Sequence, residues 1–346
     1  MPIQQTTPQF SLKLFLVSSI FTVLFCLILA EVGLRVIFHL GHPVLYQTNE
    51  NFGSRPKPNQ SVLGANGSQI TINNLSLRTD EKWNRFEDNS ILFMGDSVTY
   101  GGSYIDNSDL FTTIIQNKLN VSEHDKVKIG NSGVNGWSVQ NINGLIIDDK
   151  FRPSPHYVSF LIEGDFYRQM TYKAYGWTKS PRLALIHVGH HYWKLWKEKQ
   201  PSLTVLKPSE EKISKTSKKI DILQRPLEHD LSIQKKNARE SVLILKSMTT
   251  YLNSLGFTHH IVISPTKAQV EGVEPIDDWV LTSLKAEGLD PVYMLKDVQK
   301  EIRSNSSMSS SSIYHDVVHL TKQGHELWAM LILKYLKDMY KIVELD

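Results

Sequence analysis

The sequence predicts an α/β fold in which a mostly parallel, five-stranded sheet lies between helices, preceded by one N-terminal transmembrane helix. Three observations lead to this prediction. Short apolar runs alternate with helical patterns from Ser90 onward, a uniformly apolar segment stands near the N-terminus, and 41% of the 346 residues are apolar, enough for a substantial core. Strands that alternate with helices are typical of parallel sheets covered by helices on both faces.

The first element is an uncharged apolar run over residues 14–30, LFLVSSIFTVLFCLILA. A membrane-spanning helix needs about 17 to 25 apolar residues, so the run is just long enough. A cleaved signal peptide is the alternative, but its apolar region is usually shorter, and Ile28 before Ala30 fits a small-x-small cleavage site poorly. We therefore expect residues 1–40 to form an uncleaved anchor that contacts the membrane through residues 12–38.

Residues 41–89 are predicted to form a linker and a short β-hairpin. The stretch 40–68 is rich in proline, glycine and asparagine, which is typical of an extended linker. From Gln69, QITINNLSLRT alternates apolar and polar residues, and Asn73 and Asn74 supply a turn between two short strands.

The remaining residues, 90–346, are predicted to form one domain with an insertion at about 168–230. Its strands are short apolar runs, and its helices show apolar residues at helical spacing. The predicted strands lie at 91–94, 126–133, 156–165, 259–267 and 291–295, and the predicted helices at 110–119, 139–149, 233–256 and 321–343.

Polar or turn residues follow three of these strands. Ser97 comes just after the first strand, and Gly133 and Asp165 stand at the ends of the second and third. Because ligands of parallel sheets collect outside the carboxyl ends of the strands, we expect these residues to share one edge. The alternative for Ser97 is a helix N-cap.

A reactive serine needs a base, and the base needs a group that fixes its tautomer. Near the C-terminus, His319 follows Asp316 by three residues, so one turn can hold both side chains on the same side. His315 and His325 are the rivals. His325 falls within an apolar helix pattern and is expected to be packed there, whereas His315 is expected to point elsewhere.

Three blocks, GDSVTYG, GNSGVNGWS and DVVHL, occur in this order within residues 90–335. They resemble the motif blocks of the SGNH hydrolases, also called GDSL-type esterases and acyltransferases, and in particular the members with one N-terminal membrane helix. The resemblance implies a three-layer α/β/α, flavodoxin-like fold that needs neither a metal nor a cofactor. It also implies that Ser97 is the nucleophile, His319 the general base and Asp316 its orienting partner.

The third block departs from the family. That block normally reads Gly-x-Asn-Asp, and its asparagine helps to hold the oxyanion. Here LIEGDF puts Gly164 at the asparagine position and Asp165 in register. Losing one oxyanion donor can cost about 100- to 1000-fold in rate.

The oxyanion hole is then expected to rest on backbone N–H groups, with the side chain of Asn131 or Asn135 as an alternative donor. The predicted backbone donors are Ser97, Gly133 and Gly164. The predicted substrate-binding residues are Asp96, Asn135 and Asp165.

Together these features predict a membrane-tethered serine esterase on the extracytoplasmic, periplasmic side. The expected substrate is an acylated carbohydrate or another ester, and above all an O-acetyl group of a cell-envelope or exported glycan. An O-acyltransferase with the same triad is one alternative. A glycan-binding or assembly module, favoured by the missing asparagine, is another.

Two further classes of function receive little support from the sequence. A metal-dependent hydrolase would have to use His187, His190 and His191, which lack a carboxylate at matching spacing nearby. The formal charge of +3 gives no reason to expect nucleic acid as a partner. The sequence does not specify protein partners.

Overall fold

The computed structural model describes residues 12–120, 126–148, 151–172, 176–199, 218–273 and 278–340. The first elements are α1 (Leu12–Val36), β1 (Tyr46–Asn49), β2 (Gly53–Pro56), β3 (Gln60–Leu63) and β4 (Gln69–Ile72). The alternating part comprises β5 (Ser90–Gly95), α2 (Ser97–Tyr100), α3 (Phe111–Leu119), β6 (Lys128–Gly133), α4 (Val139–Ile147), β7 (His156–Ile162), α5 (Gly164–Tyr167), α6 (Ala184–Lys199), α7 (Lys218–Ser254), β8 (Thr258–Ser264), α8 (Lys267–Glu271), α9 (Asp278–Ala286), β9 (Val292–Tyr293), α10 (Leu295–Ser304), α11 (Ser310–Ile313) and α12 (Lys322–Tyr340).

In the described part of the chain, β5 to β9 form one parallel sheet in the order β6-β5-β7-β8-β9. β6, the second of these strands along the chain, therefore lies at one edge of the sheet beside β5. The strands β7, β8 and β9 follow in chain order on the other side of β5. This is the strand order of flavodoxin-like folds, whose ligands bind where the order reverses. The predicted α/β fold class and its five strands are confirmed.

The sheet separates two hydrophobic cores because successive residues of a buried strand point to opposite faces. From β5, Leu92 and Met94 enter the core that contains residues of α4, α7 and α9. Ile91 and Phe93 enter the core formed with α3, α10 and α12. Burying each such side chain stabilises the fold by about 1.5–3 kcal/mol, which is why these strands read as continuous apolar runs.

The segment after α1 differs from the predicted linker. β1 pairs with β2 and β3 with β4 as two antiparallel hairpins, and Tyr46, Phe52 and Ile70 are buried in the first core. The second hairpin turns at residues 64–68 and not at Asn73, whose side chain instead accepts hydrogen bonds from the backbone. Several of the prolines and glycines that suggested a linker lie in the turns or at the ends of these strands, which are only four residues long.

Helix α1 has 25 residues. Its most apolar 18-residue stretch has a mean hydropathy of 2.5, and no residue of that stretch is buried. By length and composition it can cross a membrane, a property that signal sequences share. The predicted insertion contains α6 and the start of α7, and residues 200–217 lie outside the described part. The proposed domain boundaries at 40 and 89 stay predictions.

Candidate active site

The turn between β5 and α2 presents Ser97 at the carboxyl edge of the sheet. Asp96 caps α2, since its Oδ1 accepts a hydrogen bond of 2.8 Å from the N–H of Val98. A Cβ on Gly95 would lie 2.2 Å from the carbonyl oxygen of Phe160, so the strand can end here only with glycine. Ser97 itself is partly exposed as the first residue of α2.

The structure brings the hydroxyl of Ser97 together with the side chains of His319 and Asp316. Nε2 of His319 lies 2.8 Å from Oγ of Ser97, and its Nδ1 lies 2.6 Å from Oδ2 of Asp316. Because a carboxylate only accepts, Nδ1 carries the proton and Nε2 offers its lone pair to the serine O–H. Three residues from two ends of the domain thus form one hydrogen-bonded chain.

Asp316 is fixed by its own turn. Its Oδ1 accepts hydrogen bonds from the N–H groups of Val318, at 2.9 Å, and His319, at 2.8 Å. Partial burial works to raise the pKa of Asp316, but these two bonds and the imidazole outweigh it and hold that pKa below its ordinary value. The carboxylate therefore stays ionised beside the histidine.

Tyr104, in the loop after α2, holds the histidine-bearing turn from the other side. Its ring stacks on His315 at a centroid distance of 4.1 Å, and its hydroxyl donates to the carbonyl of Leu320 at 2.9 Å. His315 is therefore occupied away from Ser97. His325 is fully buried and stacks on Phe111, as its helical pattern predicts.

Behind the serine, one guanidinium bridges two buried carboxylates. Nη2 of Arg168 lies 3.0 Å from Oδ2 of Asp96 and also contacts Oδ1 of Asp165. The other oxygen of Asp165 accepts from the N–H of Ile162 at 3.0 Å. Burial, followed by the nearby charge of Asp96, raises the pKa of Asp165 well above its ordinary value.

This arrangement corrects the prediction that Asp96 and Asp165 bind substrate. Both side chains are only 1% exposed, and their oxygens are engaged by Arg168 and by backbone N–H groups. They support, from the interior of the protein, the turn that carries Ser97.

The predicted oxyanion donors are unequally placed. The N–H of Gly133 donates to Oδ1 of Asn131 at 2.9 Å, so an oxyanion would have to share it. The amide of Asn131 is itself committed to the carbonyl of Thr99 at 2.7 Å, which removes it as an alternative donor. In Asn135 the side-chain oxygen is buried and makes no hydrogen bond within the described residues.

Gly164 begins α5 and has room for a side chain. A Cβ there would meet its nearest neighbour, Nη2 of Arg168, at 3.7 Å, an ordinary contact. At Gly133, by contrast, a Cβ would lie 2.2 Å from the backbone nitrogen of Tyr100. Glycine is thus required where α2 packs on β6, whereas the glycine at the asparagine position is not required by space.

The histidines considered for a metal have other contacts. Nδ1 of His187 accepts from the N–H of Gly41 at 3.1 Å, and the rings of His187 and His190 lie against Trp177. The side chain of His191 lies outside the described part. Among the described residues, no group of three His, Cys, Asp or Glu side chains is placed to hold a metal ion.

Sequence reasoning missed Arg168 and Tyr104. Arg168 follows Asp165 by three residues, the spacing at which helical neighbours pair opposite charges, so this contact had a readable signal. Tyr104 had none, because its partners stand more than two hundred residues later in the chain.

No protein-family model matches the chain, and no curated protein matches it in sequence. Solved structures that are similar include a lipolytic protein of the G-D-S-L family from Desulfitobacterium hafniense DCB-2, with a TM-score of 0.36, 10% identity, and coverage of 71% of this chain and 98% of that one. A lipase/acylhydrolase from Enterococcus faecalis is similar with a TM-score of 0.38 and 14% identity. The match covers 72% of this chain and 96% of that one. The third is a carbohydrate esterase whose active site displays divergent catalytic and non-catalytic binding functions. Its TM-score is 0.37 and its identity 10%, and the match covers 86% of this chain and 96% of that one.

TM-scores below 0.5 do not by themselves establish a common fold. The α/β fold of this chain is instead seen in its own strand order, β6-β5-β7-β8-β9, which is that of flavodoxin-like folds.

Proposed function

We propose that the protein is a membrane-tethered serine esterase that works through an acyl-enzyme. The observation that carries the proposal is the chain of hydrogen bonds from Ser97 through His319 to Asp316. A serine hydroxyl is a weak nucleophile unless a base in hydrogen-bond contact takes its proton, and this geometry supplies that base in the required tautomer.

The proposed reaction has two halves. Oγ of Ser97 attacks the ester carbonyl while Nε2 of His319 takes its proton, and the ionised Asp316 stabilises the imidazolium. Collapse of the tetrahedral intermediate breaks the ester C–O bond, and His319 returns the proton to the leaving alcohol. Water then attacks the acyl group on Ser97 with His319 again as base, which releases the carboxylic acid and restores the serine.

The oxyanion hole is the weak part of this site. Backbone N–H groups of Ser97 and Gly164 are the proposed donors, while the N–H of Gly133 is shared with Asn131. The missing asparagine donor corresponds to a loss of about 100- to 1000-fold in rate. We therefore expect slow turnover by the wild-type protein.

The exposure of the site supports a small acyl group carried by a large molecule. The side chains of His319 and Asp316 are 29% and 44% exposed, so the reacting groups lie at an open surface. A bulky substrate can approach such a surface, whereas a site built for a free small ester would enclose it. The proposed substrates are O-acetyl groups of cell-envelope or exported glycans on the extracytoplasmic side.

A second candidate is a glycan-binding or assembly module without turnover. The glycine at position 164 and the engaged N–H of Gly133 favour it. An activity probe separates the two functions. The full-length protein in detergent should react with a fluorophosphonate, and Ser97→Ala should abolish the labelling.

Ser103→Ala is the matched control, because Ser103 is an exposed serine in the neighbouring loop and should leave labelling unchanged. Folded wild-type protein that resists the probe would favour the binding module. Release of acetate from acetylated sugars, measured with and without an acceptor glycan, then distinguishes hydrolysis from transfer to a sugar hydroxyl by the same triad.

A further inference from the structure

Helix α6 presents an exposed apolar face that the proposed catalysis does not use. Ile186, Trp193 and Trp196 are 48%, 53% and 60% exposed, and with Gly189 they follow the spacing of one helical stripe. Ala184 is fully buried and Val188 half-buried, so the helix packs on the protein through its other face. Contiguous exposed apolar surface of this kind marks an interaction site.

This helix is tied to the end of α1, the candidate membrane span. The carboxylate of Glu31 accepts the N–H groups of Ala184, at 2.8 Å, and Leu185, at 3.1 Å. Arg35 donates to the carbonyl of Arg182 at 2.9 Å. The first turn of α6 is therefore held beside the last two turns of α1.

Apolar surface continues from one helix to the other. A cavity of about 470 Å³ is lined by Leu34 of α1, by Phe38 in the segment that follows α1, by the hairpin β3–β4, and by Val188 and Tyr192 of α6. Tryptophan and tyrosine are enriched where a membrane meets water, because they combine an apolar ring with a polar edge.

We propose that α6 lies in the interface of the bilayer that α1 spans, with Ile186, Trp193 and Trp196 among the lipid headgroups and upper acyl chains. The partner is thus a lipid surface, and this second contact goes beyond the tether and the esterase chemistry. It does not depend on the proposed triad, so failure of either proposal leaves the other standing.

Quenching of tryptophan fluorescence by brominated lipids tests the proposal in the full-length protein. The chain is placed in nanodiscs of phosphatidylcholine and phosphatidylglycerol whose acyl chains carry bromine either near the headgroup or near the chain end. None of the seven tryptophans lies in α1, and three of them, Trp83, Trp137 and Trp328, are buried. We expect strong quenching by the shallow bromines and weaker quenching by the deep ones.

The double variant Trp193→Phe/Trp196→Phe should lose most of this lipid-dependent quenching while keeping its far-UV circular dichroism. Both side chains are exposed and phenylalanine keeps them apolar, so folding is not at risk. Trp279→Phe, which changes a half-buried residue packed on the first core, is the control and should keep the quenching.

Equal quenching of wild type and the double variant would overturn the proposal. So would an absence of quenching in wild-type protein, as expected if a second copy or another protein covers the stripe. A chain that does not associate with nanodiscs at all would also refute it, because α6 is placed on the bilayer that holds α1.

Discussion

Ser97 depends on a residue that its own motif does not reveal. The carboxylate of Asp96 caps the helix that begins at the serine, and Arg168 holds that carboxylate together with Asp165. Two buried carboxylates beside each other repel unless a cation lies between them. We therefore expect Arg168 to be a positioning residue for the turn that carries Ser97.

Replacing Arg168 with glutamine should lower kcat about 100-fold, because a nucleophile displaced by about 1 Å can lose that much rate. KM should change far less, since the guanidinium lies behind the serine. Steady-state kinetics on a chromogenic acetate ester measure both constants. Arg168→Lys, which keeps the charge, should retain part of the rate, and equal activity of the glutamine variant and wild type would contradict the positioning role.

Gly164→Asn should accelerate turnover, because it adds a side-chain donor at the position where the SGNH pattern that the sequence resembles has asparagine. One oxyanion donor is worth about 100- to 1000-fold, so even a poorly oriented amide should give a gain of about tenfold. Gly164→Ala adds a Cβ at ordinary contact distance but no amide, and serves as the comparison. If the asparagine variant is no faster than the alanine variant in the same ester assay, the weakness lies elsewhere.

At the level of elements, the apolar runs predicted every strand of the sheet and four of the helices that pack on it, α3, α4, α7 and α12, but they did not predict α9 or α10. Fully buried strands are apolar on both faces, so they can be predicted from the sequence without any knowledge of the strands they pair with. The hairpins β1–β2 and β3–β4 were not legible, because four-residue strands such as Gly53–Pro56 contain the residues that usually mark loops. Their burial depends on contacts with distant segments, for example Trp137 donating to the carbonyl of Ser54 at 2.7 Å.

A buried arginine shapes the loop that follows α2. The Nη1 of Arg78 donates to the carbonyls of Tyr100 and Gly102, at 2.7 and 2.6 Å, and its Nη2 to that of Ile105 at 2.5 Å. Its Nε reaches Oδ1 of Asn107 at 3.1 Å. This loop also carries Tyr104, so Arg78 indirectly supports the turn that carries His319.

Arg78→Met should destabilise the fold by at least about 2 kcal/mol, because the buried carbonyls of Tyr100 and Ile105 would lose their donor at about 1–3 kcal/mol each. Urea unfolding in detergent, followed by circular dichroism, measures the free energy of unfolding. The same change at the exposed Arg85 should have little effect. A loss below about 1 kcal/mol would show that water or a rearranged loop satisfies these carbonyls.

For the whole molecule, the sequence predicted the fold class and the motif residues that meet at one rim, but not what surrounds them. Ser97 was predicted to lie at the carboxyl edge of the sheet because it follows β5, whereas Asp316 and His319, which lie between α11 and α12, were predicted from their spacing and from the last sequence block. The burial of Asp96 and Asp165 was not predictable, because a carboxylate at a strand end can face either solvent or the interior. Its orientation was decided by Arg168, a partner outside the motif.

Buried histidines should make the fold sensitive to acid. His259 is hydrogen-bonded to Ser159 at 2.8 Å and to Thr249 at 2.7 Å, and burial, assisted by the neighbouring charge of His260, lowers its pKa to about 3. Its pKa in the unfolded chain is about 6.5. The folded state thus binds fewer protons, so the stability from the neutral imidazole is complete above about pH 6.5 and is lost progressively as the pH falls towards 3.

Between about pH 7 and pH 5, His259 alone should cost about 2 kcal/mol of unfolding free energy, at about 1.4 kcal/mol per pH unit. Guanidinium unfolding at the two pH values measures the difference. His259→Gln, whose amide can still bond both hydroxyls, should show a smaller decrease, and the exposed His190→Gln controls for removing an imidazole elsewhere. An unchanged decrease in His259→Gln would assign the acid sensitivity to other groups.

The short connection between α1 and β1 limits how far Ser97 can lie from the end of α1. Tyr46 is buried only ten residues after the end of α1 at Val36, a stretch that can extend at most about 35 Å. The hydrogen bonds of Glu31 and Arg35 with the start of α6 restrict the distance between α1 and the rest of the protein further. Under the proposed function, a polymer attached to the bilayer that α1 is proposed to span would meet Ser97 at a high effective concentration, whereas an ester dissolved in bulk would not. The proposed esterase would then select its targets by location as well as by chemical structure.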